Sequence, residues 1–259
     1  MCRLPLLATT ALILSLGPLP AMAKAPEAAA VVAAPGPVRA SLEERALAAR
    51  LDPLARAAFW GREADIDPRD AVAGVNLAQA LRAMAKYEDA AQAAQRVLIT
   101  DPKNIEALLE VARAQVGAGQ GFYAIEPARQ AQVLAPGDWR PASLLGVAYD
   151  QASRPDEALA AHRLALGLAP ENPVVLGNLA LFYASHGDGL QAETLLRTAA
   201  ARPDAPMAVR QNLALVLGLQ GRFDEAEKLV RQDLLYCDQQ LQPYIARTHS
   251  YSLDPKTGS

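Results

Sequence analysis

An all-α solenoid of stacked antiparallel helix pairs is the fold class the sequence predicts, and three observations carry the prediction. First, similar residues recur every 34 positions. Ala90, Ala124, Ala158, Ala192 and Ala226 form one ladder, Leu77, Val111, Leu145, Leu179 and Leu213 a second, and Ala78, Ala112, Gly146, Ala180 and Ala214 a third. Second, apolar residues within one unit have helical spacing: Leu77, Leu81 and Met84 recur at i, i+4 and i+7, as do Ala90, Ala94 and Val97. Third, the composition is poor in strand formers, with aromatics only 5% of the 259 residues and Ala roughly one residue in five.

The elements follow in chain order. Residues 1–23, MCRLPLLATTALILSLGPLPAMA, place Arg3 before an apolar run from Leu4 to Leu16 and end on the small-x-small pattern Ala21-Met22-Ala23. That is the pattern of a cleaved export signal, with an uncleaved N-terminal anchor as the alternative. The run is too short and too interrupted by Pro5, Pro18 and Pro20 to span a bilayer well as a mature helix. Cys2 stands in front of the run rather than closing it, so lipidation is not expected. Cleavage leaves Cys237 without an internal disulfide partner. Residues 24–40, KAPEAAAVVAAPGPVRA, show no amphipathic period, and Pro35 and Pro37 around Gly36 block helix propagation, so this segment reads as a flexible linker.

Residues 41–70 read as a degenerate leading helix pair or half-repeat, with a helix over 54–66 closed by Asp67-Pro68. Five full repeats then cover 71–234. In the first, the short connection from Ala85 to Asp89 forces its two helices to pack antiparallel. Ala78 and Ala90 are small where the backbones approach, with Tyr87 and Leu77 filling the gap beside them. The residue before proline avoids the α region, so Asp101-Pro102, Ala135-Pro136, Ala169-Pro170 and Arg202-Pro203 end the second helices. Helices of about 14 residues are marginal alone in water, so stability must come from stacking each pair on the next. Two departures are visible. Pro127 inside the second helix of the second repeat removes a donor and is expected to bend or shorten that helix, and the fourth repeat is one residue short before Pro203. Residues 235–259 read as a polar tail, either a partial cap offering Leu235, Leu241 and Ile245 or disordered, with Pro243 limiting any helix.

Leu145-Gly146, Tyr149, Ala158, Ala165 and Pro170 resemble the signature of the tetratricopeptide repeat (TPR), a 34-residue helix-turn-helix. Three stretches, DPLARAAFWGREADIDP (52–68), GDWRPASLLGVAYDQ (137–151) and VRQNLALVLGLQGRFDEAEKLVRQDL (209–234), are similar to the TadD-type repeat proteins of tight-adherence (Tad/Flp) pilus assembly. That resemblance implies an exported, non-enzymatic scaffold that contacts pilus or secretion machinery proteins, in the periplasm and at the outer membrane through those partners. The family is usually lipid-tethered, and the lipobox cysteine it uses is missing here. A general periplasmic TPR adaptor for cell-envelope assembly or protein quality control is the alternative.

Reactive chemistry is not expected. His162 occupies a large-residue position of a second helix and reads as a packed side chain, His186 sits in a solvent-facing Ser-His-Gly-Asp turn, and His249 lies in the tail. None of these shares metal-ligand spacing with another, and a Cys237/His249 nucleophile pair lacks an orienting third group. Gly117-Ala-Gly119-Gln-Gly121 joins two helices rather than following a strand, so it is no phosphate cradle. Asp156-Glu157 and Asp224-Glu225 open second helices, where negative charge suits the N-terminus. No catalytic residue, cofactor or metal is expected. A net charge of −3 without a basic block argues against nucleic acid.

What remains is surface. If the first helices line a concave face through repeat positions 2, 5, 9, 12 and 13, the partner-binding candidates are Gln79 and Arg82 in the first repeat and Leu109 and Arg113 in the second. Arg140, Val147 and Asp150 follow in the third repeat, Leu181 in the fourth and Leu215 in the fifth, so the face turns apolar toward its C-terminal end. At the places matching a carboxylate clamp only Arg140 is suitable, and Glu110 would repel a carboxylate, so an apolar helix or extended segment is the expected occupant.

Overall fold

A computed structural model describes residues 38–231. Residues 1–37 and 232–259, on which the expected export signal, most of the expected linker and the expected tail fall, lie outside the described residues, as do Cys2, Cys237 and His249. The helices run in the order α1 (Leu42–Ala48), α2 (Pro53–Ile66), α3 (Ala71–Ala83), α4 (Tyr87–Thr100), α5 (Ile105–Gly117), α6 (Gly121–Leu134), α7 (Trp139–Gln151), α8 (Pro155–Leu168), α9 (Pro173–Ser185), α10 (Gly189–Ala200) and α11 (Met207–Leu219). A further helical stretch covers 223–231, and no strand occurs among the described residues. Antiparallel pairs α3/α4, α5/α6, α7/α8 and α9/α10 stack in sequence, each first helix packing against its own partner and against the first helix of the next pair. This is the all-α solenoid.

Two further 34-residue ladders explain where each helix starts and turns. The side chains of Asp70, Asn104, Asp138 and Asn172 cap the first helices, accepting from the N–H groups of Ala73, Ala107, Arg140 and Val174 at 2.9–3.0 Å. Such a cap is worth about 1 kcal/mol. Pro206 stands on the next rung and offers no side-chain acceptor. Between the helices of each pair one residue takes the left-handed conformation: Ala85, Gly119, Ser153, Gly187 and Gly221, with φ from 57° to 85°. The next N–H then reaches back to a carbonyl five residues earlier, as Lys86 does to Leu81 at 3.0 Å and Gln120 to Gln115 at 2.8 Å, which closes the first helix and reverses the chain.

The core is built from small residues, as the ladders imply. Ala78, Ala112, Ala180, Ala124, Ala158 and Ala192 are fully buried, letting the backbones approach. Gly146 is the small residue of α7 and faces His162 of α8, which is 2% exposed. Of the two expected effects of Pro127, shortening does not occur: α6 has 14 residues, as do α4 and α8. Only one backbone bond is forfeited, and Ala124 and Ala128 on either side anchor the helix in the core. The fourth repeat is not shortened as expected: α10 ends early, with 12 residues, but the six residues 201–206 that follow, against four after α4, keep Pro206 on the 34-residue step.

The leading pair is fastened by charge. Glu63 of α2 is fully buried and accepts from Arg45 Nη2 of α1 at 2.6 Å and from the Ala40 N–H at 3.1 Å, while Arg45 also reaches Asp70 at 2.6 Å. Burial alone would raise the Glu63 carboxyl, but the guanidinium and the amide outweigh it and hold it below the usual range.

Candidate partner-binding face

The first helices α3, α5, α7, α9 and α11 lie side by side and present one face. Its exposed side chains come from repeat positions 2, 9, 12 and 13. Gln79, Arg82, Arg113, Arg140, Val147, Asp150 and Leu181 are half-buried there, and Leu215 is 54% exposed. Leu109 is a correction: it is fully buried among Leu108, Ala131 and Leu144 and cannot touch a partner. Position 5 lies beneath the following repeat. Val75 and Ser143 are buried at the same register, and the Ser143 hydroxyl accepts from Asn178 Nδ2 of the next first helix at 2.9 Å.

The N-terminal half of the face is ionic. Glu110, 1% exposed, is shared by two arginines from successive repeats: Arg82 Nε donates at 2.9 Å and Arg113 Nη1 at 2.5 Å. Beside this triad Arg140 binds Asp138 at 2.7 Å and Glu106, its counterpart one repeat earlier, also at 2.7 Å. The Asp138 carboxylate, followed by Glu106, holds the Arg140 guanidinium firmly charged. Burial pushes Asp138 up, but Arg140 and its backbone N–H bring it below the ordinary carboxylate range. Further along, His186 Nε2 stands 3.6 Å from Asp150 while its ring stacks on Phe182 with centroids 4.3 Å apart, so the turn histidine is partly covered by its neighbours. Beyond it the face is apolar, with Val174, Leu215 and Leu219 exposed.

The sequence does not mark Glu110 as the hub of this surface. By sequence Glu110 is a charge that repels carboxylates, whereas in the fold two guanidiniums already occupy its oxygens. The available signal is one of register: Arg at position 12 of one repeat and Glu at position 6 of the next. Among the described residues no group of three or more His, Cys, Asp or Glu is arranged to hold a metal ion, and no helix is long and apolar enough to cross a membrane.

A tetratricopeptide-repeat sequence model matches residues 207–236, the fifth repeat. No curated protein matches the chain. Among solved structures it is similar to a thermophilic TPR protein of Thermus thermophilus, at 20% identity and TM-score 0.58, covering 68% of this chain and 94% of that one. It is also similar to a tetratricopeptide repeat protein of Parabacteroides merdae, at 14% identity and TM-score 0.55 over 74% and 77% of the two chains. A third likeness is to MamA of Desulfovibrio magneticus, at 20% identity and TM-score 0.52 over 61% and 89%. The fold is therefore that of a TPR solenoid.

Proposed function

We propose that this protein is an exported, non-enzymatic scaffold of Tad/Flp-type pilus assembly that holds a segment of a pilus or secretion machinery protein along its first-helix face. The observation that carries the binding role is the face itself, with paired arginines at one end and Val174, Leu215 and Leu219 exposed at the other. Exposed aliphatic side chains grouped on one face suit an apolar helix or extended segment of a partner. The pilus assignment rests on the likeness of residues 52–68, 137–151 and 209–234 to that family, and export rests on the pattern of residues 1–23.

Two experiments test this reading. Deleting the gene should abolish surface fibrils; intact fibrils and normal attachment would refute the pilus role. Mature protein should capture a partner from envelope extract, and the Leu181→Asp/Leu215→Asp variant should lose it while keeping its helicity. The position of Cys2 ahead of the apolar run favours a second reading, a periplasmic adaptor outside any pilus system. Neighbouring genes separate the two, because a pilus locus carries a secretin and a secretion ATPase.

A further inference from the structure

A cleft of about 330 Å³ opens on the edge of the solenoid away from the ionic triad, between the outer side of α4 and the turn that ends α5. Tyr87, Glu88, Gln92 and Gln95 line one wall, Gln115 and Gln120 the other. None of these six side chains has a hydrogen-bond or ion-pair partner among the described residues. The Tyr87 ring is fixed because it packs on Gly117, where an added Cβ would come within 2.5 Å of the ring.

The cleft exists because two residues break the repeat pattern. Position 25 is Gln95 in the first repeat but Arg129, Arg163 and Arg197 in the next three. The facing position 11 of the following repeat is Gln115 here, and Tyr149 one step along. At that next step the space is filled, since Arg129 donates to the Tyr149 hydroxyl at 3.0 Å and the Arg154 guanidinium lies 4.7 Å over the same ring. Further along the solenoid, Arg197 and Arg222 close on Glu193 at 2.8 and 2.7 Å. Of these edges, the first alone keeps neutral amides where its neighbours carry guanidiniums.

We propose that this cleft binds a neutral saccharide. Each glutamine amide offers a donor pair and an acceptor in one plane, the complement of adjacent hydroxyls that both give and take a hydrogen bond. Glu88 adds a pure acceptor, and the Tyr87 ring gives an apolar surface for the C–H face of a sugar ring. An anionic ligand would find no cation among these six residues, and an apolar one would strand the amides without partners. The volume lies in the range of about 300–1,000 Å³ typical of small-ligand sites.

The test is an NMR titration of the full mature chain with triacetylchitotriose, cellotriose and maltotriose, following the glutamine side-chain amides. At least one trisaccharide should give saturable shifts at Gln92, Gln95, Gln115 or Gln120. The variant Gln95→Arg/Gln115→Tyr, which installs the pair found at the same register in the next repeat, should bind roughly tenfold more weakly or worse, with its circular dichroism and melting temperature retained. The proposal is overturned by failure of all three sugars to saturate, by equal binding to the variant, or by a neutral Ser/Asn peptide shifting these amides when no sugar does.

Discussion

The imidazole of His162 rests against the α carbon of Gly146. A Cβ at that glycine would lie 2.5 Å from both Cε1 and Nδ1 of the ring, closer than carbon side chains tolerate. The other repeats carry Ala at this rung of the ladder, so the glycine is the counterpart of a large second-helix residue rather than a helix weakness. Gly146→Ala should therefore destabilise the protein by about 1–3 kcal/mol, although alanine is the better helix former. Urea unfolding would measure it, and a gain in stability would contradict the packing account.

His162 also makes stability depend on pH. Burial lowers its imidazole from 6.5 to about 4. Above pH 6.5 the ring is neutral in both folded and unfolded chains. Between 6.5 and about 4 the unfolded chain takes up a proton that the folded one refuses, so stability is lost as pH falls through that window. The full loss from this residue is about 3 kcal/mol. His162→Leu, which introduces the residue found at the same register as Leu196, should flatten that part of the pH profile measured by urea unfolding.

Two turns carry side chains where glycine would be easier. Ala85 and Ser153 hold φ of 57° and 58°, the left-handed region that Gly119, Gly187 and Gly221 occupy on the same ladder. Ala85→Gly and Ser153→Gly should each stabilise the fold by about 0.5–1 kcal/mol, because relief of the Cβ clash exceeds the entropy that glycine adds to the unfolded chain. Gly119→Ala should do the reverse. Thermal melts of the three variants give the signs.

The triad of Arg82, Glu110 and Arg113 should be non-additive. Removing one arginine leaves the buried carboxylate one partner, whereas removing both strands it. Arg82→Ala/Arg113→Ala should cost more than the sum of the single changes by about 1 kcal/mol or more. A double-mutant cycle in urea tests this, and strict additivity would show that the two guanidiniums act separately.

The helix pairs were legible because period, ladder and stop residue all pointed the same way. The caps Asp70, Asn104, Asp138 and Asn172 were equally legible on the same 34-residue step, although the Asp-Pro and Ala-Pro stops alone were enough to locate the turns. What resisted was anything set by the rotation between neighbouring repeats. Leu109 and Arg113 are one helical turn apart in sequence, and only the seating of the third repeat decides that the first is covered and the second is not. Glu110 presents the same difficulty, since one of its two partners lies 28 residues away on another helix. The cleft beside Tyr87 is recognisable only by comparing repeats side by side, where Gln95 and Gln115 replace Arg and Tyr.

The two ionic clusters at the N-terminal end of the face differ in sign. Arg82 and Arg113 against Glu110 sum to +1, and Arg140 against Asp138 and Glu106 sums to −1. Lying next to each other, they give the face a built-in polarity, like an arrow drawn across the first helices. A bound segment whose own charges match that order is welcome in one orientation and repelled when threaded backwards. A partner held on this face would thus be selected by the direction in which it lies as well as by its composition.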